Sequence, residues 1–230
     1  MKFKKHTCDK MVELFKKKPF QGQVPEKASI VFLSSDANYS PEISNHPFFE
    51  YVCEYQKDGV AFWKNYGCHH PFMLSCYPKG KDFNKNKNGV PFHRNFSKLG
   101  LEPKRYAEHI SFLELLDIPT EGNKSEDIEQ FFRMVSLKHQ HYIDKLIKDG
   151  GHKKLIFVSK GVLKDIVRIR KTYPCNDLFD WADFAVGSKN QFTKMINGNK
   201  IKEIYHFSSS KIHSQLPEIK SVVDQWLGYN

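Results

Sequence analysis

The loop motifs by which the common nucleotide and hydrolase folds declare themselves are missing from this chain. There is no Gly-x-Gly-x-x-Gly and no Gly-x-x-x-x-Gly-Lys-Ser/Thr, so the usual phosphate-cradling loops are absent; without a Gly-x-Ser-x-Gly elbow a serine hydrolase is disfavoured. Cysteine is sparse: Cys8, Cys53, Cys68, Cys76 and Cys175 form no Cys-x-x-Cys pair, and an odd count argues against a complete disulfide framework. Cys68-His69-His70 with Cys76 gathers soft ligand types, yet lacks the two spaced pairs of a zinc site, and no metal is expected. No run approaches the roughly 18 apolar residues of a membrane span. The opening Met1-Lys-Phe-Lys-Lys-His6 carries charge with no apolar core behind it, so a cytoplasmic protein without membrane attachment is expected. Internal repeats and low-complexity tracts are also lacking.

What is present points to an α/β chain with an anionic partner. At 230 residues the length suits one domain with one good core. Lys and Arg number 36 against 26 Asp and Glu, a net charge of +10 that favours a polyanion such as nucleic acid, or an anionic membrane face. Ile30, Val31, Phe32 and Leu33 form a short apolar run that reads as a strand buried on both faces, the middle of a parallel sheet. Helical spacing over residues 9 to 18 predicts an amphipathic helix, and residues 40 to 89, dense in aromatics, read as an insertion with one or two helices and a basic tip from Lys79 to Lys87. Further strands are expected at Ile110 to Thr120, Leu155 to Val158 and Ile201 to Tyr205, the last paired with Phe192 to Ile196 through the Asn197-Gly198 turn. Ser125 caps one long crossover helix running to Gly150-Gly151, another helix spans about Gly161 to Ile169, and a closing helix starts near Pro217. Strands alternating with helices predict a three-layer α/β/α sandwich around a mostly parallel sheet of four or five strands.

Two polar clusters follow two of these strands: Ser34-Ser35-Asp36-Ala37-Asn38 and His206-Phe207-Ser208-Ser209-Ser210-Lys211. In a parallel sheet both emerge at the same edge, where open α/β sheets bind ligands. In between stand Pro91-Phe92-His93-Arg94-Asn95-Phe96 and Leu115-Leu116-Asp117-Ile118-Pro119-Thr120. In this order the four segments resemble the uracil-DNA glycosylase superfamily, and most nearly its mismatch-specific uracil/thymine branch, over roughly residues 27 to 227.

The resemblance implies a monofunctional DNA glycosylase of base excision repair, acting on duplex or single-stranded DNA as a monomer and needing no cofactor. By position, Asp36 matches the residue that orients or deprotonates water, and His206 the one that bonds the carbonyl oxygen of the leaving base. Asn38, Phe92 and Glu114 fall at the base pocket, Phe92 as a stacking surface and Glu114 as reader of the base edge. Ser34, Ser35, Ser208, Ser209 and Ser210 would hold backbone phosphate, with Lys211 and Ile212 at the wedge that fills the gap left by an extruded base. Ser34 replaces the family's Gly, while Ala37 and Phe207 stand where Pro is usual. An ionised Glu114 would offer acceptors only and repel a pyrimidine carbonyl. Plainer readings remain open: Asp36 and Asn38 as turn residues, His206 and Phe92 as core, Glu114 as a partner of Arg94 or a solvated edge charge. So do two other functions, a non-catalytic nucleic-acid-binding module and a hydrolase of free nucleotides.

Overall fold

The structure is a computed structural model of the chain and describes residues 2–78, 90–173, 177–182 and 191–229. Strand β1 (Lys4–Lys5) precedes helix α1 (Asp9–Lys17), whose Asp9 and Lys16–Lys17 complement the two ends of the helix dipole while Met11, Val12 and Phe15 are buried. Strand β2 (Phe20–Gly22) and the organising strand β3 (Ile30–Ser34) follow, and then helices α2 (Phe49–Lys57), α3 (Gly59–Tyr66), α4 (Pro91–Ser97) and α5 (Pro103–Tyr106). Next come β4 (Ile110–Glu114), β5 (Thr120–Glu121), α6 (Ile128–Arg133), α7 (Leu137–Lys148), β6 (Leu155–Ser159) and α8 (Lys160–Thr172). The hairpin β7 (Thr193–Ile196) and β8 (Asn199–Ile204) leads to the closing helix α9 (Leu216–Leu227).

Six strands form the main sheet in the order β2-β4-β3-β6-β8-β7. β4, β3, β6 and β8 run parallel, and β2 and β7 pair antiparallel on the two edges. β3 therefore has a parallel neighbour on each side, as its unbroken apolar run requires. Its residues alternate between two clusters. Val31 and Leu33 pack with Phe131, Ile143, Val162 and Ile166, while Ile30 and Phe32 pack with Trp63, Phe96, Tyr106, Ile219 and Val223. A third cluster joins α1 and α2 through Met11, Phe15, Tyr39, Phe49, Val52 and Phe72.

Three expectations need correction. The sheet has six strands rather than four or five, because Phe20–Gly22 adds an edge too short to show period-2 alternation. Its Gly22 lies at φ +75°, where a Cβ would come within 2.7 Å of the Ile110 carbonyl oxygen. The strand expected over Ile110 to Thr120 stops at Glu114, and Thr120–Glu121 pairs instead with β1 as a separate two-stranded ribbon. The long crossover helix is broken into α6 and α7, since the Asp127 side chain accepts from Gln130 N and Ser136 from His139 N, each capping a new helix start. The hairpin turns as expected, with Asn197 at φ 48° and Gly198 at φ 87°. The basic tip from Lys79 to Lys87 lies outside the described residues. Among the described residues no helix is long and apolar enough to cross a membrane.

Candidate functional site

At the carboxyl edge of the four parallel strands lies a cleft of about 590 Å³. The last residue of each strand, Ser34, Glu114, Ser159 and Ile204, lines it, which puts the cleft where strand dipoles end and loops diverge. Asp36 and His206 line it too, although about 170 positions separate them in the chain. The plain-turn reading of Asp36 and the core reading of His206 are both incomplete on this geometry.

The loop after β3 is stitched to the segment after β4 by backbone hydrogen bonds: Leu115 N to Ser34 O at 2.9 Å, Leu116 N to Ser35 O at 3.2 Å, Thr120 N to Ala37 O at 2.9 Å and Tyr39 N to Thr120 O at 2.9 Å. That ladder fixes the loop with Ala at position 37. Side chains continue it, because Asn38 Nδ2 donates to Thr120 Oγ1 (3.2 Å) and Gly122 O (2.7 Å), and Thr120 Oγ1 donates to Asp36 Oδ2 at 2.7 Å. Burial raises the Asp36 carboxyl above its ordinary value, opposed by the Thr120 hydrogen bond and the charge of Lys124. Lys124 itself donates to Ser35 Oγ at 2.8 Å and forms an ion pair with Asp165, to which Ser35 Oγ also donates at 2.9 Å.

The loop after β8 is anchored through its backbone. Asn95 Nδ2 donates to Phe207 O at 2.6 Å, and the buried Phe207 ring meets those of Phe32, Phe92 and Phe96 at 5.8, 5.3 and 5.4 Å. Phe207 thus seats the loop by packing where a Pro would stiffen it. His206 Nδ1 accepts from Ser208 N at 3.2 Å, so the neutral ring carries its proton on Nε2. Desolvation and the nearby Lys124 charge lower the His206 pKa, which favours that neutral form. The Phe92 ring stands 5.6 Å from the His206 ring and lines the cleft half-buried.

Glu114 lies in the wall, 4% exposed, and its Oε2 has no hydrogen-bond partner. It is not a solvated edge charge. Burial and the neighbouring Asp36 push its carboxyl up to about 8, so at neutral pH it is chiefly the acid, with one O–H donor and one carbonyl acceptor. Beside it Tyr39 accepts from Gln21 Nε2 at 2.9 Å, and His70 stacks on His93 at 3.7 Å. Burial lowers both imidazoles, His93 to about 3, so this wall is uncharged. Residues from the 40 to 89 segment, His70 and Phe72, therefore form part of the cleft. Among the described residues no group of three or more His, Cys, Asp or Glu is placed to hold a metal ion.

The cleft brings together Ser34, Ser35, Asp36, Asn38, Phe92, Glu114, His206 and Ser208 from the sequence-predicted set. Ser209, Ser210 and Lys211 do not line it: Ser209 Oγ accepts from Lys211 N, capping a short turn, and Ser210 and Lys211 are exposed. Ile212 is fully buried in the core and is not an exposed wedge, a correction that follows from its packing with Phe207 and Ile219. Sequence reasoning missed Thr120, Lys124 and Asp165. Asp165 did leave a signal, a carboxylate between Val162 and Ile166 on the apolar face of α8, where an acid needs a cationic or donor partner. No protein-family model and no curated protein sequence matches the chain.

Proposed function

We propose that the chain is a monofunctional DNA glycosylase that hydrolyses the N-glycosidic bond of a flipped damaged or mismatched base. The observation that carries this reading is the meeting of Asp36 and His206 in one cleft at the carboxyl edge of the sheet. Breaking the bond builds positive charge on the sugar and negative charge on the departing base. Asp36, with Oδ2 held by Thr120, supplies the carboxylate for the first. His206, protonated on Nε2, supplies a donor for the second.

The acid form of Glu114 extends the reading to the base. A donor beside an acceptor complements an adjacent carbonyl and ring N–H, the edge shared by uracil, thymine, hypoxanthine and xanthine. Phe92 offers a ring face for stacking next to His206. The excess of basic residues suits a DNA backbone, duplex or single-stranded, and Ser208, Ser210 and Lys211 are exposed in the loop after β8. In this reading residues 1 to 230 form one uracil-DNA-glycosylase-like unit, the sheet is the middle layer of an α/β/α sandwich, and residues 40 to 89 add a wall to the cleft. Apolar packing on both sheet faces supports the layering.

The test uses duplex oligonucleotides carrying one such base, treated with protein and then with alkali. Strand breaks are expected, and they fall about 10²- to 10⁴-fold in Asp36→Asn and His206→Ala. Salt-dependent binding with no breaks would favour a non-catalytic nucleic-acid-binding module. Turnover of a free nucleotide with little affinity for duplex would favour a nucleotide hydrolase.

A further inference from the structure

The helices packed on the Val31 and Leu33 face of the sheet present a surface of one sign. Helix α8 buries Val162, Leu163, Ile166 and Ile169 and turns Lys160, Gly161, Lys164, Arg168, Lys171 and Thr172 outward. Helix α7, on the same sheet face, exposes Lys138, His141 and Lys145. Neither helix exposes an acid. The outward charges of α1 are mixed by contrast, and two of its lysines are neutralised, Lys16 by Glu13 and Lys10 by Glu50 of α2.

The cationic row on α8 opposes its own helix. Lys160 is the first residue, at the end where the helix dipole favours an anion, and Lys164 stands four residues from both Lys160 and Arg168, the spacing at which like charges repel. Among the described residues Arg168 alone of the four is in an ion pair, with Glu129, and its guanidinium lies 4.1 Å from the centroid of the Phe132 ring. Successive members of the row are about 5 to 6 Å apart along the axis and together span about 16 Å, a spacing close to that of consecutive phosphates on a nucleic-acid strand. The row begins in the cleft, which Lys160 lines.

We propose that the outer face of α8 is a binding track for nucleic-acid backbone, along which a strand leaving the cleft continues. That the strand is DNA rests on the glycosylase reading; the need for a polyanion rests on the charge row alone. An anionic membrane fits this face poorly, because an interfacial helix presents apolar side chains to lipid and those of α8 lie in the core. The exposed large hydrophobic residues among those described, Tyr66, Met195 and Tyr205, all lie outside α7 and α8.

The experiment measures binding of a mixed-sequence oligonucleotide of ordinary bases, single-stranded and duplex, as salt is varied. One variant carries Lys160→Gln, Lys164→Gln and Lys171→Gln; the control carries Lys17→Gln, Lys57→Gln and Lys104→Gln, and all six lysines are exposed. In the α8 variant the slope of log affinity against log salt should shrink by about 2 for the single strand and about 3 for the duplex, with affinity down about 100-fold near 0.1 M salt. The control should keep the wild-type slope. An unchanged slope in the α8 variant, or an equal loss in the control, overturns the track. Binding to vesicles of equal phosphatidylserine and phosphatidylcholine that the α8 variant loses, with no affinity for either oligonucleotide, overturns it in favour of a membrane face. A protein that binds through α8 yet releases no base from any duplex refutes the glycosylase and leaves the track standing. Base release with the salt slope unmoved by the α8 substitutions does the reverse.

Discussion

The two ends of the parallel strands treat buried polar groups in opposite ways. At the amino end, Lys154 Nζ donates to Glu26 O and Ala28 O at 3.0 and 3.1 Å, and Asn199 accepts from Lys154 N at 2.6 Å. Asn199 Nδ2 completes the set with Ile147 O and Asp149 O at 2.8 and 2.6 Å. Every one of these bonds ends on backbone, which is how a protein ties strand starts to the turns before them. At the carboxyl end, the Glu114 carboxyl is as deeply buried and Oε2 is left with nothing. Five buried side-chain atoms among the described residues lack a partner, and Glu114 Oε2 alone belongs to a residue of the cleft.

Glu114→Gln should break this contrast most visibly. The folded-state pKa of about 8 lies above the ordinary value of 4.5, so the folded protein keeps a proton that the unfolded chain gives up. Wild-type stability attributable to Glu114 therefore falls as pH rises from 4.5 to 8, and glutamine carries no such penalty. At about 1.4 kcal/mol per pH unit of difference, the variant should be more stable than wild type by as much as about 5 kcal/mol at pH 9, and near parity at pH 4.5. Urea unfolding at the two pH values measures this; a pH-independent difference would place Glu114 among ordinary solvated acids.

Asn199→Ala should do the reverse. It strands the Lys154 N–H and two carbonyls in the interior and costs about 3 kcal/mol of stability at neutral pH. Base release per folded molecule should stay at the wild-type rate, read by combining unfolding curves with single-turnover assays. A large loss of activity in the folded variant would mean that the two ends are not independent.

Thr120→Val is the smallest change and sharpens the carboxyl end alone. It keeps the shape but removes the hydroxyl that donates to Asp36 Oδ2 and accepts from Asn38 Nδ2. The expected loss is about 1.4 kcal/mol of transition-state stabilisation, a tenfold fall in base release with the acid limb moved to higher pH. An unchanged acid limb would show that Thr120 does not act through Asp36.

The contrast also explains what was legible in the sequence. Elements whose signal is local were readable: the apolar run of β3, the amphipathic α1, the Asn197-Gly198 hairpin, and Pro217 at the start of α9. Asp36 and His206 were readable because a strand followed by small polar residues marks a sheet edge, and the two clusters had to share one if the sheet was parallel. The roles of Thr120 and Lys124 were not, because each acts through a tertiary contact with the loop after β3, 84 and 89 positions away, and Asp165 left only the hint of a carboxylate on the apolar face of α8, which does not name its partners. The ionisation of Glu114 was not readable in the sequence, since it depends on burial and on the neighbouring Asp36. The edge strand β2 went unseen for a different reason, three residues being too few to show a period.

The most direct test of paired action by Asp36 and His206 is to measure free base by mass spectrometry in single-turnover reactions at neutral pH. Duplexes carrying uracil, hypoxanthine, xanthine or mismatched thymine are the substrates. At least one of these bases should be released intact by the wild-type chain, and the release should vanish when Asp36 is changed to Asn and His206 to Ala. Release of none of the four, or release that persists undiminished in the doubly substituted protein, would contradict it.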